Sequence, residues 1–122
     1  MAKQYATVVG IVVVLVGVLG LFTGPTLLGF NSDILEDIIH LVTGGLMAYV
    51  GLGMKDPGPA KTVVGVLGIV YLAVGVLGFI IPMLFGLLPT GYGVADNLLH
   101  LALGVLGIYV GYFMKGGMRA AT

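Results

Sequence analysis

Two histidines, His40 and His100, each stand beside carboxylates in an otherwise apolar setting. The first lies in NSDILEDIIHLV (31–42) and the second in GVADNLLHLA (93–102). On a helix, residues three or four apart share a face. Glu36 and Asp37 can therefore both reach His40, and Asp96 and Asn97 can both reach His100. A carboxylate one turn from an imidazole orients the ring and selects its tautomer. Four kinds of chemistry fit such a pair. Each histidine can bond its own acid or a neighbouring helix, as a polar clasp. The two can ligate one haem axially, or one chlorin each, with Gly44 and Gly104 a turn further along leaving room for a flat macrocycle. Glu36, Asp37, His40, Asp96 and His100 can hold zinc, iron or manganese, because carboxylate and imidazole together suit those ions. Asp37-x-x-His40 has the i, i+3 spacing of carboxylate-bridged metal sites in helical bundles, although the second copy carries Asn97 where a carboxylate is wanted. Proton transfer is the fourth use.

Other chemistry is excluded more directly. Cysteine is absent, Ser32 is the only serine and no Gly-x-Ser-x-Gly or phosphate-binding loop occurs. The net charge is zero, so no basic field favours nucleic acid. A proton path would need polar groups through the chain's apolar length, where Thr43 and Tyr71 are the only polar side chains of note.

The elements that must carry these residues are legible from composition. Charged residues make up 8% of the 122-residue chain, against roughly 25% in soluble domains, and the mean hydropathy is +1.18. Residues 5–22, 38–54, 62–95 and 97–114 contain no charge. A spanning helix needs about 20 largely apolar residues, so the chain reads as an all-α membrane protein with four spans, near 4–23, 34–54, 62–85 and 94–114. Asp33 is the expected N-cap of the second span. Lys3, Lys55, Lys61, Lys115 and Arg119 fall at the two chain ends and in the middle connection, and the other two connections have neither Lys nor Arg. The excess of cations on the cytoplasmic side of membrane proteins then gives both termini inside, in a prokaryotic cytoplasmic membrane.

The chain is also written twice. AKQYATVVGIVVVLVGVLG (2–20) aligns with AKTVVGVLGIVYLAVGVLG (60–78) at an offset of 58, and His40, Gly44, Tyr49 and Gly51 meet His100, Gly104, Tyr109 and Gly111 at an offset of 60. The expected organisation is a first repeat over 2–55, a linker over 56–59 whose prolines stop both neighbouring helices, a second repeat over 60–115 and a tail over 116–122. Each repeat is a helical hairpin, and two tandem hairpins share one orientation, as in parallel repeats. Glycines recur every seven residues at Gly10 and Gly17, Gly44 and Gly51, Gly68 and Gly75, and Gly104 and Gly111. Small residues at that spacing let helix backbones approach closely, within the bundle or between copies of the chain.

Hairpins ending in Asn-x-x-His-x-x-x-Gly resemble a small four-helix membrane family, domain of unknown function 4383. The residues that carry the likeness are Asn97, His100 and Gly104 in DNLLHLALG (96–104), and the first copy has Asp37, His40 and Gly44 in their places. The resemblance covers most of the chain. It implies a polytopic bacterial or archaeal membrane protein and implies no activity. The expected function is non-enzymatic: a structural or accessory membrane protein in the lipid bilayer, as a homo-oligomer or a subunit of a larger membrane complex. The competing expectation is a haem or chlorin subunit ligated by His40 and His100.

Overall fold

The structure is a computed structural model that describes residues 1–24, 26–27, 30–31, 33–81, 83, 86 and 91–113. Four helices order the chain: α1 (Ala2–Thr23), α2 (Ile34–Leu52), α3 (Pro57–Ile80) and α4 (Val94–Ile108), the last continued by a π-helical turn over Tyr109–Phe113. All four are long and apolar enough to cross a membrane, α4 together with its π-helical turn. Between α1 and α2 two short strands, β1 (Thr26–Leu27) and β2 (Phe30–Asn31), pair antiparallel, with Thr26 opposite Asn31. Residues 114–115 and the expected tail over 116–122 lie outside the described residues.

α1 packs chiefly on α2 and α3 on α4, so the chain forms two hairpins that meet along lesser contacts of α3 with α1 and α2. The buried face of α1 shows how the sequence dictates this. Ala2, Ala6, Gly10, Val13, Gly17 and Gly20 are buried at steps of three and four, one stripe of a 3.6-residue helix. All but Val13 are Gly or Ala, while large apolar residues such as Val8, Leu15 and Phe22 point outward. In lipid, apolar side chains gain little by turning inward, and small residues that let backbones touch hold the helices together.

Glycine makes those contacts. A Cβ on Gly10 would lie 2.8 Å from the Gly44 carbonyl oxygen, and one on Gly44 would lie 2.8 Å from the Val14 nitrogen. Gly51 abuts Thr7 and Gly17 abuts the Asp37 carbonyl. In the second hairpin Gly68 faces the Ile108 nitrogen at 2.6 Å, Gly75 faces Leu101, Gly104 faces the Leu72 nitrogen at 2.6 Å and Gly111 abuts the Gly65 backbone. These eight glycines therefore face helices of their own chain.

Three helix ends differ from expectation. Pro57 and Pro59 do not stop the helices around them. They lie in the first turn of α3, where a missing N–H costs nothing, and the Asp56 carboxylate accepts from the Gly58 nitrogen at 2.9 Å to cap that turn. The third span closes at Ile80 rather than 85. Ile81 precedes Pro82 and has left the helical region, at φ −131° and ψ 77°, as expected of a residue before proline. The fourth span relaxes into the π-helical turn, which brings Tyr112 over Gly65. At the matching place in the first hairpin Leu52 is 67% exposed.

Candidate functional site

The acid-rich end of the bundle is set by two helix starts. α2 is capped by Asp33, which makes no side-chain capping bond, and α4 by Gly93, which has no side chain to offer. Glu36 and Asp96 each lie three residues further on, the position from which an acid can reach back to the cap nitrogen. Asp96 does so and accepts from the Gly93 N–H at 2.9 Å. Glu36 turns inward instead.

Glu36 is 3% exposed and is the centre of the site. Its Oε1 lies 2.9 Å from His40 Nε2 one turn along α2, and 3.9 Å from His100 Nε2 on α4. Its Oε2 accepts a short hydrogen bond from the Tyr92 hydroxyl. One carboxylate is thus shared by two histidines and a tyrosine drawn from both hairpins. Burial, then the nearby Glu36 carboxylate, push the Tyr92 phenol above its ordinary range, which keeps it a neutral donor.

Aromatic rings hold His100. Tyr92 meets it edge-on, with centroids 5.0 Å apart and planes at 80°, and Tyr71 on α3 stacks on it at 6.1 Å and 22°. Both geometries are favoured for π systems. The Tyr71 hydroxyl donates to Thr43 Oγ1 at 2.9 Å, and Thr43 donates to the Ile39 carbonyl at 2.8 Å. This chain is a second polar link between the hairpins, nearer the middle of the helices than the first. Among the described residues, the buried atoms His40 Nδ1, His100 Nδ1 and Asn97 Oδ1 have no hydrogen-bond partner.

The expected site residues divide. Glu36, His40 and His100 come together: one ligand atom of each lies within 4.8 Å of the others. Asp96 caps its own helix and its charge also lies near His100, while the carboxylate oxygen 3.9 Å from His100 Nε2 is that of Glu36, from the other hairpin. Asn97 packs its amide oxygen against Gly78, where a side chain would otherwise stand. Asp37 is buried and lies outside the convergent His–carboxylate set, so the i, i+4 pair of Glu36 with His40 replaces the expected Asp37-x-x-His40 pair. A haem shared by His40 and His100 would have to displace Glu36 Oε1, which faces both imidazoles, and the backbones of α1 and α3 lie against Gly44 and Gly104, where room was expected.

Two residues escaped the sequence reading. Tyr71 enters the sequence reading only as a polar side chain in the apolar length, not as a partner of His100, and Tyr92 is not singled out there. Tyr92 has Ser32 at the matching position of the first repeat, so the repeat carries no signal for it. The usable signal was a tyrosine between two glycines, one residue before a helix cap.

No curated protein and no solved structure matches the chain. Over residues 3–113 the chain matches the family described as a domain of unknown function, DUF4383, and it belongs to that family.

Proposed function

We propose that the chain is a non-catalytic membrane module whose two hairpins are fastened at the outer face by the Glu36 carboxylate, with both termini on the cytoplasmic side of a prokaryotic cytoplasmic membrane. The observation that carries this reading is the single oxygen, Glu36 Oε1, facing both His40 on its own helix and His100 on the other hairpin. Polar groups in a bilayer are costly and face the bundle interior, where they find partners. The surface elsewhere is apolar side chain such as Val8, Val42 and Val105, which suits lipid, a second copy or another membrane chain. The module acts as an accessory subunit or homo-oligomer.

The clasp is tested by unfolding metal-free protein in mixed micelles. His100→Ala should cost about 1 kcal/mol, the scale of interhelical polar contacts in membranes, and unchanged stability would sink the reading. Orientation is tested with an impermeant maleimide on the naturally cysteine-free chain. Val94→Cys should label from outside the cell and Lys55→Cys should not. The reverse pattern would invert the topology.

A further inference from the structure

We infer that Glu36, His40 and His100 form a binding site for one divalent transition ion of the zinc class, an inference that builds on the clasp by naming what the same three side chains hold. Four features of the geometry point there. First, the donors are two imidazole Nε2 atoms and one carboxylate oxygen, a set that suits zinc and its neighbours far better than magnesium or calcium, which favour all-oxygen shells. Second, the spacing is near what such an ion needs. With metal–ligand bonds of about 2.05 Å, tetrahedral geometry puts ligand atoms about 3.3 Å apart. The two separations from Glu36 Oε1, 2.9 and 3.9 Å, bracket that value, and the whole set lies within 4.8 Å.

Third, the second carboxylate oxygen is already taken. Tyr92 holds Glu36 Oε2, which leaves Oε1 to face both imidazoles, and an ion would take the place of the His40 Nε2 proton that Oε1 accepts in the metal-free site. A hydrogen bond to the outer oxygen of a ligating carboxylate is the usual way a protein orients that ligand. Fourth, the charge balance favours a cation. Glu36 is buried in a site whose other members are two imidazoles and a neutral phenol, and no Lys or Arg lies in the outer half of the chain's described residues. An ion bound here joins α2 to α4, and so ties hairpin to hairpin. Three protein ligands leave a fourth position for a small exogenous ligand.

The test uses the intact chain in detergent, stripped with a chelator and titrated with Zn2+ by calorimetry and with Co2+ by visible absorption. One ion should bind per chain, with the intense 500–650 nm bands of tetrahedral cobalt, and excess Mg2+ should not compete. Tyr92→Phe should weaken binding by about 10- to 100-fold, the range for losing an outer-shell partner, and His100→Ala by more. Asp96→Asn, which neutralises an acid near His100 but outside the ligand set, should weaken binding far less than His100→Ala. No saturable Zn2+ or Co2+ binding by the wild type would overturn the inference, as would equal loss in Asp96→Asn and His100→Ala. Neither result touches the clasp, which is read from the stability of metal-free protein. Should His100→Ala fail to fold, Tyr92→Phe and the cobalt spectrum still decide.

Discussion

Glu36 and Asp96 hold equivalent places in the two hairpins, three residues past equivalent caps, Asp33 and Gly93. They do different work. Asp96 folds back onto its own helix start. Glu36, one methylene longer, crosses to the other hairpin and gathers two histidines and a tyrosine. The cap side chains do not account for the split, since neither Asp33 nor Gly93 makes a side-chain capping bond. α2 begins at Asp33, and its third-position acid is turned inward. The same position three residues past a helix cap thus serves as a cap in one hairpin and as a cross-hairpin contact in the other.

The sharpest way to break this comparison is to truncate both acids. Glu36→Ala removes the carboxylate that the half-buried His40, the buried His100 and the Tyr92 hydroxyl share. Removing one partner from a buried polar set costs about 3 kcal/mol or more. Asp96→Ala removes a helix-start bond worth about 1 kcal/mol. Unfolding of the two variants in mixed micelles, metal-free, should therefore differ by about 2 kcal/mol. Equal losses would mean that both acids serve as caps and that the shared carboxylate adds nothing.

A second contrast sharpens the picture along the glycine seams. Gly44 and Gly104 are equivalent, yet the second hairpin is packed more tightly at this level. A Cβ at Gly104 would meet Leu72 N, Cα and Cβ at 2.6, 2.7 and 2.8 Å, whereas one at Gly44 would meet Val14 N, Gly10 O and Val13 Cγ1 at 2.8, 2.9 and 3.0 Å. Both clashes are largely with backbone, so the helices themselves must part. Overpacking of this kind costs about 1–3 kcal/mol. Gly104→Ala should fall near the top of that range and Gly44→Ala near the bottom, by the same unfolding assay. Equal costs would show that the hairpins relax alike despite their different spacing.

These contrasts also mark what the sequence could carry. Four long charge-free runs leave few alternatives to four spanning helices, because backbone in lipid must satisfy its own hydrogen bonds. Helix ends were less legible. Pro57 and Pro59 read as breakers from the left and as a first turn from the right, and the difference lies in the Asp56 cap. At the site, the matched depth of His40 and His100 was legible from the repeat. The choice of Glu36 over Asp37 was not. Both lie within helical reach of His40, and which one crosses depends on how α2 is rotated against α4, a property of packing that no local spacing encodes. Tyr92 was hidden for another reason, since its place in the first repeat holds Ser32 and it lies outside the helix.

The smallest effect concerns the residue beside the seam. Gly45 follows Gly44 directly, but a Cβ there would meet nothing within 4 Å. Its equivalent in the second hairpin is Val105, which is 57% exposed, so the matching position already tolerates a branched side chain on the outer face. Glycine in a helix interior costs about 1 kcal/mol relative to alanine. Gly45→Ala should therefore leave the fold intact and raise its stability by up to about that amount, while Gly44→Ala one residue away lowers it. Opposite signs from adjacent glycines would show that the seam is one residue wide on α2. A loss at Gly45 would instead place a second surface against that face, and in a chain whose own helices leave it open, that surface would have to come from a neighbouring molecule.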